Sequence, residues 1–381
     1  MKLELFNFTQ VAGWVPTLQP QMDSPQTLVL VFGSSSFDVE TEVFSELHQA
    51  FPNSKIIGCS TAGEIFGAEI LDNTLSVAVM HFNNTALESA NVRIDSAEDS
   101  CHVGRQIAEA LLKPDLKGVL VISDGMSVNG SELIRGLNQI LPESVVVTGG
   151  LAGDGDRFKK TWVMKDWKPQ TGYVTAVGYY GDAVQLKHGS KGGWSRFGPK
   201  RLVTKSKSNV LYEIDGKPAL ALYKEYLGER ASGLPATALL FPLSLLSDAK
   251  NMTYIVRTVL SVDEDNQSMT FAGDIPEGHQ VQLMRADFDS LIDGACDAAS
   301  LVKADENSCG DMLNIAISCV GRRLVLGERC EEEVEAVLES LPPGTKQLGF
   351  YSYGEISPYV TGQACQLHNQ TMTITTITET G

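Results

Sequence analysis

A carboxylate set beside glycines occurs twice in this chain within the same eight-residue phrase. Gly58-Cys59-Ser60-Thr61-Ala62-Gly63-Glu64-Ile65 returns as Gly349-Phe350-Tyr351-Ser352-Tyr353-Gly354-Glu355-Ile356, with both glycines, the glutamate and the isoleucine unchanged. A looser copy, Gly149-Gly150-Leu151-Ala152-Gly153-Asp154, lies between them. Carboxylates bind ammonium groups and accept hydrogen bonds, and glycine backbone offers N–H donors to an anion. Glu64, Glu355 and Asp154 are therefore candidate ligand-binding residues, with Thr61 and Gly63 beside them. The same pattern has a structural reading, in which glycine supplies the positive φ of a tight turn and the acid caps nearby backbone. On sequence alone both readings stay open.

Other residues can join such a site. Arg322 follows a predicted strand that ends at Cys319, and its guanidinium can fork onto a ligand carboxylate or onto Glu355, or serve a structural ion pair. Tyr351 and Tyr353 flank the second phrase and can line a pocket or pack in the core. Lys187-His188-Gly189-Ser190-Lys191-Gly192-Gly193-Trp194 is glycine-rich and reads as a mobile hairpin or ligand-facing loop, with Trp194 a candidate contact. It matches neither the phosphate loop nor the dinucleotide fingerprint. Cys59 sits among small residues after a strand, where a nucleophile can be exposed, but no histidine lies near it in sequence; a buried thiol is the competing reading. No paired-histidine spacing suggests zinc.

These residues hang on a repeated scaffold. Thr27–Phe32, Gly118–Ser123 and Leu313–Ser318 are continuous apolar runs, as strands buried on both faces are. Helical patterns follow at Glu42–His48, Ser131–Leu141 (with Ser131 a candidate cap) and Glu331–Leu341. A proline ends each, and second strands come next at Ser54–Ile57, Val145–Thr148 and Lys346–Leu348. Pro52 to Glu64, Pro142 to Asp154 and Pro343 to Glu355 are each 12 residues. Strand-like stretches at Thr74–Phe82, Val174–Tyr180 and Thr371–Ile377 complete three units. The predicted class is α/β: duplicated β-α-β-turn-β units forming mixed sheets flanked by helices, in two packed modules. Between the second and third units, Leu202–Gly216 reads as extended, Pro218–Leu227 as a helix stopped by Gly228, Thr253–Leu260 and Ser268–Phe271 as a hairpin, and Phe288–Val302 as an amphipathic helix. The expected division is an N-terminal segment (1–26), a first module (27–217) and a second (218–381).

Bulk properties narrow the partners. With 381 residues, 43% hydrophobic and 20% charged, the chain suits a soluble protein of two or three domains. A net charge of −17 disfavours nucleic acid and anionic membrane surfaces. There is no signal-peptide pattern and no apolar run long enough for a membrane helix. The seven cysteines (59, 101, 296, 309, 319, 330 and 365) are scattered, without a CxxC pair, which points to reduced thiols in the cytoplasm.

From residue 27 to 365 the ordered set of motifs resembles the FIST domain family, bacterial sensory proteins with N-terminal and C-terminal modules. Its carriers are the phrase at 58–65, Gly193-Trp194 with Phe197-Gly198, Tyr212-Glu213-Ile214-Asp215-Gly216-Lys217-Pro218-Ala219, Cys319-Val320-Gly321-Arg322 and Tyr353-Gly354-Glu355-Ile356. The resemblance implies signal transduction by ligand sensing. The expected function is a cytosolic sensor that binds a small molecule between its modules and regulates a separate partner, such as a histidine kinase or a cyclic-di-GMP enzyme. An amino acid or another metabolite is one implied ligand. A haem-binding, nitric-oxide-sensing branch is another, with haem b as cofactor. Haem needs an axial ligand in an apolar pocket, and without a CxxCH motif it would be non-covalent. His188, in the glycine-rich block, and His81, at a strand end, are the candidate ligands. A cysteine-dependent enzyme using Cys59 is the remaining class.

Overall fold

The computed structural model describes residues 1–37, 42–248, 253–302, 311–360 and 362–380, so Cys309 lies outside the described residues. The first unit contains β1 (Thr27–Ser34), α1 (Val43–Ala50), β2 (Lys55–Thr61), β3 (Glu64–Phe66) and β4 (Leu75–His81). The second contains β5 (Leu116–Ser123), α2 (Gly130–Asn138), β6 (Val146–Leu151), β7 (Val163–Lys165) and β8 (Tyr173–Tyr180). The third contains β9 (Leu313–Cys319), α3 (Cys330–Glu339), β10 (Lys346–Ser352), β11 (Gly354–Pro358) and β12 (Met372–Glu379). The class is the mixed α/β arrangement the sequence predicts.

In each unit the first two strands are parallel and the last runs antiparallel beside the first. Every residue of β1 and β9 is buried, which explains their unbroken apolar runs. The cap of α2 differs from expectation. Asn129, not Ser131, is the N-cap, and its side chain accepts from Glu132 N at 3.2 Å. Ser131 Oγ instead accepts from Asp274 N at 3.2 Å. Helices Ser100–Leu111 and Val320–Leu326 have no counterpart in the sequence reading.

The short strand after each glycine–acid phrase leaves its own unit. β3 pairs with β10 of the third unit, β11 with β6 of the second, and β7 with β2 of the first. The exchange is cyclic and ties the three sheets around a shared core. Phe32, Cys59, Ile122, Ile317 and Phe350 meet there, with the rings of Phe32 and Phe350 4.6 Å apart. Cys59, Gly150 and Phe350 occupy equivalent strand positions. The Phe350 ring fills the space beside Gly150, where an added Cβ would lie 3.2 Å from its tip. The phrase is thus mostly strand: Gly58–Thr61 end β2 and Gly349–Ser352 end β10, with the bend confined to Ala62-Gly63 and to Tyr353.

The first glycine of the phrase is required by backbone approach. A Cβ on Gly58, Gly149 or Gly349 would lie 1.9, 1.8 and 1.8 Å from the carbonyl oxygen of Val31, Val121 and Ala316 on the neighbouring strand. No side-chain movement can relieve a backbone clash.

Residues 195–285 build a separate body, a nine-stranded sheet with helix Ala219–Leu227 on a core that includes Leu211, Leu220, Tyr223 and Phe271. The sequence division at 217–218 falls within its strand pairings, since Glu213 pairs with Pro218 and Leu211 with Met269. Gly228 stops its helix at φ 57°, as expected. Lys187–Lys191, expected as hairpin or loop, belongs to the strand Val184–Lys191 paired with β12; only Gly192-Gly193-Trp194 is irregular. The six described cysteines are free. Among the described residues no helix is long and apolar enough to cross a membrane.

Gly349→Ala is expected to lower stability by about 3 kcal/mol or more, and Gly150→Ala, whose methyl meets mainly movable side-chain ends, by about 1–2 kcal/mol. Urea midpoints of the two variants, compared with the parent chain, check this ordering.

Candidate ligand site

The two glutamates of the repeated phrase are enclosed and identically held. Glu64 Oε1 accepts from Thr61 Oγ1, and Oε2 from Thr74 N at 3.2 Å and Thr74 Oγ1 at 2.9 Å. Glu355 Oε1 accepts from Ser352 Oγ at 2.9 Å, and Oε2 from Thr371 N at 3.2 Å and Thr371 Oγ1 at 2.8 Å. Each carboxyl anchors the residue that precedes the last strand of its unit, Thr74 before β4 and Thr371 before β12. Burial pushes Glu64 up to about 7 and Glu355 up to about 8, against these hydrogen bonds. Asp72 pushes Glu64 the same way, and Arg322 weakly opposes the rise at Glu355.

The second unit assigns that task to another acid. By the strand register Asp154 is equivalent to Gly63, one position before Glu64. Its Oδ1 accepts from Ser35 Oγ and from Arg157 Nη2 at 2.6 Å, and Oδ2 from Lys159 N and Lys160 N at 3.2 and 3.1 Å. Burial pushes Asp154 up, but the bonds from Ser35 and Arg157 outweigh it and hold the carboxyl below the usual range. The anchoring acid is Asp124, which follows β5. It accepts from Met126 N and Ser127 N at 2.8 Å, and from Thr161 Oγ1 and Gly172 N at 3.1 Å, just before β8. Sequence reasoning missed Asp124 because it searched for the acid only after the second strand.

Arg322 is fully enclosed. Its Nε donates to Glu333 at 2.5 Å, Nη1 to Gly192 O at 2.6 Å and Nη2 to Leu291 O at 2.7 Å. Glu333 also accepts from Tyr351 OH at 2.9 Å and from Ser318 Oγ at 3.3 Å. Arg322 and Tyr351 therefore belong to one buried network of protein partners. The neighbouring Arg323 is the arginine at a glycine–acid turn: it donates to Ala62 O and to Asp72, both at 2.6 Å, and its guanidinium fills the place of a Cβ on Gly63, whose φ is +135°. The adjacent pair at 322–323 was the available signal. Cys59 lies in the central core, and burial pushes its thiol well up, as the buried-thiol reading expects.

Tyr353 and Trp194 do face cavities. Tyr353 lines a space of about 780 Å3 bounded by segment 319–325, by Asp156 and Phe158 of the second unit, by Phe288, and by residues 233–240 and 258–260 of the nine-stranded body. Its ring stacks on Phe158 at 4.4 Å and its hydroxyl donates to Gly155 O at 3.1 Å. Most of the lining is apolar. Thr258 Oγ1 is a buried polar atom there without a partner. Trp194 borders a separate cavity of about 250 Å3. Neither Glu64 nor Glu355 lines either cavity.

The description of the FIST N domain matches residues 27–217, and that of the FIST C domain matches residues 219–358. The chain belongs to the FIST family. FIST domains are signalling sensor modules, which supports a sensory reading of this chain. It is 25% identical over 359 residues to an uncharacterized protein of Methanocaldococcus jannaschii, covering 85% of this chain and 65% of that relative, so it spans just under two thirds of the relative's length. The solved structure of a cyanuric acid hydrolase from A. caulinodans overlays 100% of this chain and 99% of its own at 7% identity and a TM-score of 0.38, a likeness too low to bear on fold or activity.

Haem fits this FIST chain poorly. No histidine lines the 780 Å3 cavity; Cys319 does, and burial pushes its thiol far up. His81 Nδ1 lies 3.0 Å from Thr27 Oγ1 and 3.2 Å from Ser24 Oγ, at the end of β4 and in neither cavity. His188 is buried against β12, in neither cavity. Among the described residues no cluster of histidine, cysteine and acids could hold a metal ion.

Two outcomes test these networks. The stabilising effect of protonated Glu355 is complete below pH about 4.5 and is lost as pH rises through about 8, because the folded chain retains a proton that the unfolded chain has released. Glu355→Gln is expected to remove part of that loss, about 2–4 kcal/mol, in urea midpoints read from pH 5 to 9. Arg322→Ala, which strands Glu333 in the core, is expected to lower stability by about 3–5 kcal/mol, well beyond Arg323→Ala.

Proposed function

We propose that the protein is a sensor for a small, mostly apolar molecule held in the 780 Å3 cavity, and that occupancy is passed to a separate signalling protein such as a histidine kinase or a cyclic-di-GMP enzyme. The observation that carries this is the composition of the walls. Five of the large apolar side chains that remain exposed, Phe158, Leu240, Leu260, Phe288 and Leu324, surround this single space. Apolar surface gathered at one concave place marks a binding site. Thr258 offers one directional hydrogen bond to a ligand that carries a polar group. Among the described residues the lining holds one carboxylate, Asp156, and no arginine or lysine, so an amino-acid zwitterion is disfavoured relative to a neutral ligand.

The cavity joins the three-unit core to the nine-stranded body. A ligand touching both sides favours the arrangement in which they are closed, and that differential affinity is what a partner would read.

Thermal-shift screening of the full chain against neutral metabolites is expected to yield hits that Leu324→Trp abolishes; a ligand at 100 times its Kd raises stability by about 2.7 kcal/mol. A panel without a hit, or hits unaffected by the tryptophan, overturns the reading. A Soret band in protein reconstituted with haem would replace it with the haem alternative.

A further inference from the structure

Ser190 is 2% exposed, and its Oγ has no hydrogen-bond partner. Buried hydroxyls are rarely left so. It lies near the end of the strand Val184–Lys191 and borders the smaller cavity, about 250 Å3, between that strand, the nine-stranded body and the segment before β12. Two residues earlier, on the same face of the strand, His188 Nδ1 is also buried without a partner.

The walls of this cavity run against the charge of the chain. The protein carries −17, yet among the described residues the lining contains Lys191 and Arg196 and no carboxylate. Each cation sits over a ring: the Arg196 guanidinium carbon is 3.8 Å from the centre of Tyr254, and Lys191 Nζ is 6.0 Å from the centre of Tyr359. Trp194 adds a third ring. Its Nε1 donates to Gln370 O at 2.8 Å. His368 also borders the cavity; burial pushes it down to about 4, so it is neutral near pH 7 and its Nε2 lies 2.9 Å from Ser357 O.

The loop that carries Trp194 is fixed from behind. Arg322 holds Gly192 O, and Glu355 holds Thr371, which borders the cavity. The cavity therefore has a rigid rear wall, cationic groups, stacking faces and an unmet hydroxyl donor.

We propose that this cavity is a binding site for a small planar organic anion, a carboxylate carried on a ring. Lys191 and Arg196 attract the charge, Ser190 donates a charge-assisted hydrogen bond, and the aromatic faces stack on the ring. The volume lies below the ~300–1,000 Å3 of sites for drug-sized ligands, which limits the occupant to a small molecule. The site is independent of the apolar cavity.

Calorimetric titration of the full chain at low salt, with tryptophan fluorescence in parallel, tests this with benzoate, benzamide and inorganic phosphate as probes. Benzoate is expected to bind, to bind at least tenfold more weakly to Lys191→Gln/Arg196→Gln, and severalfold more weakly to Ser190→Ala. Leu324→Trp is expected to leave benzoate binding unchanged, which separates this site from the apolar one. The lysine and arginine changes lie at half-buried and exposed positions, and Ser190→Ala gives a second reading should the double variant fail to fold. No benzoate binding up to about 10 mM, equal binding by the double variant, or benzamide binding as well as benzoate overturns the proposal. Phosphate binding as tightly as benzoate overturns the planar part and reassigns the site to an inorganic anion.

Discussion

The strand that follows each glycine–acid phrase lies in a different sheet from the strand that precedes it, so the chain must cross between units through a region buried on every side. Backbone N–H groups near such crossings have no ladder partner of their own, and burial makes that deficit expensive. Glu64, Glu355 and Asp124 meet it. Each accepts a main-chain N–H just before the last strand of its unit, from Thr74, Thr371 and Gly172. The glycines 58, 149 and 349 solve the steric half of the same problem, since only a hydrogen fits against the neighbouring carbonyl. The repeated phrase is thus the signature of an inter-unit crossing, and its carboxylates face inward for architectural reasons.

Much of that scaffold was legible in the residues. The main strands of the three units and most helices follow from apolar runs, 3.6-residue spacing and turn residues, because these patterns are local; the hairpin arm opposite Ser268–Phe271 is Val259–Asp263, whereas Thr253–Arg257 pairs with Leu243–Asp248. The exchange of β3, β7 and β11 was not legible, since nothing in the spacing of a strand says which sheet it joins. The acid of the second unit was misplaced for a related reason. A carboxylate can reach a given N–H from either of two adjacent strand ends, and sequence distance cannot choose between Asp154 and Asp124. The segment around Ser190 read as a loop because its glycines weaken strand propensity, yet pairing with β12 overrides that local preference.

The candidate sites were less legible still. Both cavities are lined where the three-unit core meets the nine-stranded body, by residues drawn from several segments with no shared spacing. The sequence nevertheless indicated two residues that border them, Tyr353 and Trp194. Tyr353 occupies the bend between β10 and β11, so the crossing from the third unit to the second is also a wall of the larger cavity. A molecule pressed against that ring lies next to the contact between Tyr353 and the Gly155–Phe158 turn, where two units are joined. Ligand and architecture meet in one side chain.

The cyclic exchange has a consequence for biogenesis. Residue 66 pairs with residue 348, so β3 leaves the ribosome long before the strand that will receive it. Until β10 arrives, the first unit carries an unsatisfied edge and an uncovered apolar core. A topology dominated by such distant pairings folds slowly and passes through aggregation-prone intermediates. The exchange that closes the finished protein therefore leaves its nascent chain with exposed apolar surface until the last unit is made.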